Sequence, residues 1–142
     1  MTDVYVVGIG QTKFGEHWSS SLRDLATEAG MEAIKDAGID GNELQSLFVG
    51  NMAGGSFAGQ EHIGALVADA LGLNPIPATR CEGACASGAL AFGQAYAAIK
   101  SGKHDCVMAL GVEKMNDVRG DAALTALMGA GDNEWEGIQG LT

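Results

Sequence analysis

The chain has 142 residues, 46% hydrophobic and 18% charged, which is enough for one real core and ordinary for a globular protein. Its net charge of −10, with eight scattered basic residues, excludes the basic footprint that nucleic-acid binding needs. No apolar run reaches membrane length, and three cysteines make an odd set for a disulfide framework, so a cytoplasmic protein with reduced thiols is expected.

In chain order, Val4-Tyr5-Val6-Val7-Gly8-Ile9 is a short apolar run closed by Gly10 and reads as a buried strand. A loop follows from Gln11 to Ser20. Ser21-Leu22-Arg23-Asp24 is a capping-box variant, and Leu22, Leu25, Ala26, Ala29, Ala33 and Ala37 then recur at helical spacing. Gly38 stands where a left-handed residue would end that helix.

Ser46-Leu47-Phe48-Val49 reads as a second strand, and Gly50 to Gln60 as a glycine-rich loop. Ile63, Leu66, Val67 and Ala70 form a second helical stripe stopped at Gly72. Pro75 and Pro77 keep helix out of the next segment, and Ala78 to Cys81 reads as a third strand. Cys85 to Lys100 is apolar on nearly every face, which predicts a helix buried all round and ended by Gly102. Cys106-Val107-Met108-Ala109-Leu110 is the fourth strand. From Glu113 onward the pattern thins to glycines with one short helical run, Ala122 to Met128, and Leu141-Thr142 bring no terminating signal.

Strands alternating with helices give an α/β fold with right-handed crossovers and a mostly parallel sheet. The division expected is an α/β domain over residues 1–115 and the start of a loop-rich insertion, a truncated one, over 116–142. Ligands of such sheets bind beyond the carboxyl ends of the strands.

Cys85 falls at that edge, within Glu82-Gly83-Ala84-Cys85-Ala86-Ser87-Gly88. The unpaired N–H groups of a helix start stabilise a thiolate and a neighbouring oxyanion. Small flanking residues leave room for a substrate, and a rigid helix behind the thiol suits a covalent catalyst. The chemistry this points to is acyl transfer through a thioester. A buried structural thiol is the competing reading, of equal weight on these features, because no histidine stands nearby in sequence. Cys81 and Cys106 read as small buried hydrophobes. His17, His62 and His104 are isolated from the cysteines and from each other, so no metal set forms. Gly8-Ile9-Gly10 lacks the third glycine of a dinucleotide loop, where Lys13 stands.

Gly83-Ala84-Cys85-Ala86-Ser87-Gly88-Ala89-Leu90-Ala91 resembles the acylated-cysteine segment of thiolases. Thr12-Lys13-Phe14-Gly15, Gly50-Asn51-Met52 with Gly59-Gln60, and Gly111-Val112-Glu113-Lys114-Met115 resemble three further segments of that family, in the same order. The wording around Cys85 and Val112 to Val118 is nearest to the archaeal and sterol-carrier-type branch. The resemblance implies the first half of an αβαβα fold, with a mostly parallel mixed sheet covered by helices on both faces. It implies reversible condensation of two acetyl-CoA to acetoacetyl-CoA, with Cys85 as acyl acceptor and its backbone N–H in the oxyanion hole. Coenzyme A thioesters would be substrates, with no further cofactor. The family's activating histidine, second cysteine and most CoA contacts match nothing in these 142 residues, so this chain by itself is expected to be inactive. The family also implies a homodimer or homotetramer. The branch implies association with hydroxymethylglutaryl-CoA synthase through a small bridging protein. A β-ketoacyl carrier-protein synthase or a hydroxymethylglutaryl-CoA synthase would share the fold and the cysteine position, and a non-catalytic acyl- or lipid-binding paralogue is the third reading.

Overall fold

The computed structural model describes residues 3–73 and 75–139. Gly140, Leu141 and Thr142, which the sequence places in the loop-rich tail, lie outside them. The elements are α1 (Leu22–Ala37), β1 (Leu47–Gly50), α2 (Gly54–Ala58), α3 (Ile63–Ala70), β2 (Ala78–Cys81), α4 (Ser87–Lys100), β3 (Met108–Gly111) and α5 (Gly120–Met128), with 3₁₀ turns at Gly41–Glu43, Ala84–Ala86 and Gly137–Gln139.

Local signals set the helix ends. The Ser21 side chain accepts from the Asp24 backbone N–H at 3.1 Å, and Asp24 accepts from the Ser21 backbone N–H at 2.8 Å, a reciprocal capping box. Gly38 ends α1 with φ 67°, and its N–H returns to the carbonyls of Ile34 and Lys35.

The three strands form a parallel sheet in the order β2-β1-β3, with Leu47 level with Ala78 on one side and with Met108 on the other. The connection from β1 to β2 and the one from β2 to β3 run in opposite directions across the sheet. Right-handed crossovers therefore put α3 and α4 on opposite faces. The packing agrees: α4 lies across all three strands, while α1 and α3 pack on each other and on the sheet. Leu47, Val49, Ile63 and Val67 are fully buried between sheet and the α1/α3 layer, with Leu22, Ile34, Leu71, Met108 and Leu110 around them.

The fold is the α/β layering that the sequence predicts, with three differences. Val4–Ile9 is not a strand: Tyr5, Val6, Val7 and Ile9 are exposed, and the Ile9 and Gln11 N–H groups donate to Asp36 and Glu32 of α1, not to a neighbouring strand. The sheet thus has three strands among the described residues, all parallel. The Gly50–Gln60 loop contains a helical turn, α2, closed at Gly59. And α4 is buried on one side only. Ala91, Ala95 and Ala98 meet the sheet, while Leu90, Phe92 and Tyr96 are exposed, because no second layer lies over them here.

Candidate active site

The carboxyl ends of the strands release three turns side by side: residues 51–53 after β1, 82–86 after β2 and 112–117 after β3. Cys85 lies on the second. It is exposed, and it sits in the 3₁₀ turn Ala84–Ala86, not within the helix as expected; α4 begins two residues later.

That turn is built by its neighbours. Ala84 has φ 50°, a left-handed conformation that costs a non-glycine residue energy and persists only when surroundings enforce it. Glu82 accepts from the Ala84 N–H at 2.6 Å. Ser87, buried at the head of α4, donates its hydroxyl to the Ala84 carbonyl at 2.7 Å and accepts from the Gly83 N–H at 3.1 Å. From beneath, Gly50 presses on the same region: a Cβ there would stand 2.7 Å from the Gly88 N and Cα and from the Ser87 carbonyl carbon. The thiol is therefore presented to solvent by a turn fixed from both sides.

The other two cysteines stand apart in character. Cys81, on β2, is buried and Cys106, just before β3 and not inside it, is half-buried. Burial pushes both thiols up, with the charge of Glu43 adding to the effect at Cys106. Among the described residues no cluster of three or more His, Cys, Asp or Glu side chains could hold a metal, and no helix is long and apolar enough to cross a membrane.

The structure adds residues whose roles sequence reasoning did not read. Asn51, Arg80 and Glu113 tie the turn after β1 to the turn after β3 and to β2: the Glu113 carboxylate accepts from Asn51 and from the backbone after it, and Arg80, on β2, donates to the carbonyls of the same stretch. Asn51 and Glu113 lie in the Gly50–Met52 and Gly111–Met115 segments that resemble thiolases, and that likeness is their one signal in the sequence. Lys114 is buried at the third turn and pairs with Asp117. The two cations at this edge are thus already engaged.

An N-terminal thiolase domain, as a family, matches residues 4–138 of this sequence. This chain belongs to the thiolase family. The thiolase chain is 54% identical over all 142 residues to an acetyl-CoA acetyltransferase of Methanothermobacter thermautotrophicus, and 53% identical to one of Methanocaldococcus jannaschii. It spans 37% and 36% of their lengths. It is 40% identical over 114 residues to sterol carrier protein 2 of Gallus gallus, covering 79% of this chain and 20% of that protein. The 3-oxoacyl-[acyl-carrier-protein] synthase III of Aquifex aeolicus VF5 superposes with a TM-score of 0.56 at 24% identity, over 70% of this chain and 32% of that one, a likeness of fold alone.

Proposed function

We propose that this thiolase chain carries the nucleophile of an acetyl-CoA C-acetyltransferase, with Cys85 as the acyl acceptor. The observation that carries the reading is the exposed Cys85 on a fixed turn at the carboxyl edge of a parallel sheet, in a chain 54% identical to an acetyl-CoA acetyltransferase.

Cys85 Sγ, as thiolate, attacks the acetyl-CoA carbonyl carbon, and the Cys85 backbone N–H donates to the developing oxyanion. The Sγ–C bond forms, the CoA S–C bond breaks, and the CoA thiolate leaves and takes up a proton. A second acetyl-CoA, deprotonated at its methyl carbon, attacks the acetyl-enzyme. The C–C bond forms and the Cys85 thiolate is released. The base for the second step and the CoA contacts belong to no residue assigned in this chain, and the relatives are nearly three times as long. The reaction is reversible, running as thiolysis in the other direction.

Family membership also supports a homodimer or homotetramer, and the archaeal likeness supports association with hydroxymethylglutaryl-CoA synthase through a bridging protein. The free thiols favour a cytoplasmic setting. Acetoacetyl-CoA formation by this chain joined to the segment its relatives carry tests the reading. Removing a catalytic nucleophile costs about 10³-fold or more, so Cys85→Ala should abolish turnover, and retention of about a tenth of it would refute the assignment.

A further inference from the structure

The acetyl-transfer reading leaves two charged side chains at the sheet edge without a role. Both grip one short turn. Glu113 Oε1 accepts from Asn51 Nδ2 at 2.9 Å, and Oε2 accepts from the Met52 N–H at 2.9 Å and the Ala53 N–H at 3.2 Å. On the other side Arg80 donates Nη2 to the Met52 carbonyl at 2.6 Å and Nε to the Asn51 carbonyl at 3.2 Å. Its Nη1 donates to the Glu61 carboxylate at 2.9 Å and to the Glu61 carbonyl at 3.4 Å. A carboxylate takes the N–H groups of the turn and a guanidinium takes its carbonyls. Asn51, fully buried, completes the lattice: Nδ2 also donates to the Val112 carbonyl at 2.9 Å, and Oδ1 accepts from the Gly54 N–H at 3.1 Å.

This grip lies beside the Cys85 turn. Gly50, immediately before Asn51, presses on Ser87 and Gly88. Met52 and Ala53 share one open cavity with Arg80 and with Glu82, which holds Ala84. The central strand thus supports the cysteine turn from below, and its continuation forms the adjoining wall. Two charged groups are spent on a neutral backbone turn, where charge-assisted bonds are the stiffest available. Arg80 makes four donated bonds of the five its guanidinium can form, so an anionic ligand finds little of it free.

We infer that Glu113 and Arg80 are positioning residues. They fix the direction in which the Asn51–Ala53 turn leaves β1, and so the wall against which an acyl thioester lies while its carbonyl carbon meets Cys85 Sγ. This rests on the proposed role of Cys85. Glu113→Gln breaks the grip whichever way the amide is turned, because both carboxylate oxygens face donors. Arg80→Lys keeps the charge, but one nitrogen cannot reach the Asn51, Met52 and Glu61 oxygens together.

The test is acetyl transfer from acetyl-CoA by the active enzyme (this chain with the segment its relatives carry) in wild type, both single variants and the double variant, with thermal melts alongside. Misplacement by about 1 Å costs up to ~100-fold, so each single variant, fully folded at the assay temperature, should lose about 10-fold or more in kcat with KM for acetyl-CoA little changed. The double variant should lose no more than the worse single one, because both act through the same turn. Folded variants with wild-type kcat, losses that multiply in the double variant, or variants that fail to fold would each overturn the inference, the last by making the pair merely structural. A wild type never acylated at Cys85 would overturn both this and the proposed function, whereas indifferent variants of an acylating enzyme strike the positioning role alone.

Discussion

Cys85 differs from its two fellow cysteines in exposure and in support, and the difference can be read by chemistry. Burial pushes the Cys81 and Cys106 thiols up, and the charge of Glu43 adds to it at Cys106. A thiol whose folded value is raised contributes stability fully present below its unfolded value of about 8.5, and lost as pH climbs through the folded value. Iodoacetamide at mildly alkaline pH should therefore mark Cys85 first and spare Cys81 and Cys106 until the chain unfolds, as peptide mapping would show. Equal labelling of Cys81 would mean that β2 does not bury it. Gly50 carries a second prediction. A Cβ added there would stand 2.7 Å from backbone atoms of Ser87 and Gly88 in the first turn of α4, so Gly50→Ala must push the helix head and the cysteine turn outward. The expected cost is about 1–3 kcal/mol by overpacking, read from denaturant unfolding, together with altered Cys85 labelling. At this scale the sequence was partly legible. Small residues on both sides of Cys85 announced a tight strand-to-helix junction. Ser87, Arg80 and Glu113 could not be read, because a serine in an apolar helix looks neutral and the other two find their partners 28 and 61 residues away.

Helices were legible where their signals are local. The Ser21/Asp24 box, the Gly38 cap and the alanine stripe between them describe α1 almost to the residue. The Ser21 backbone N–H, and after it the Ser21 hydroxyl, hold the Asp24 carboxyl below its ordinary range. A depressed carboxyl contributes stability above its unfolded value of about 3.9, which is lost as pH falls through the folded value. Asp24→Asn should therefore flatten the acid limb of stability against pH, and Ser21→Ala should cost about 1 kcal/mol near neutrality. An acid limb unchanged by Asp24→Asn would show that the box does not hold in solution. Strands were less legible, because an apolar run does not say whom it pairs with. Val4–Ile9 is as apolar as β1, yet the Ile9 N–H, and beyond the segment that of Gln11, go to carboxylates of α1. The one-sided burial of α4 has the same cause: a helix apolar all round needs two cover layers, and this chain supplies one.

For the whole molecule, the parallel order β2-β1-β3 and the opposed helices place three turns at one edge, and one of them presents a thiol. The chain spans about a third of the length of the acetyltransferases it matches, and Leu90, Phe92 and Tyr96 face outward from α4. On the proposed reading, the molecule supplies a nucleophile on a prepared support. The central claim is that an acyl group passes through Cys85. Its most direct test is peptide mass spectrometry of the active enzyme, formed with the segment its relatives carry, after brief exposure to acetyl-CoA and acid quench. The account predicts an acetyl adduct on the peptide containing Cys85, absent in Cys85→Ala. An adduct that persists in Cys85→Ala, or one confined to another residue, would contradict it.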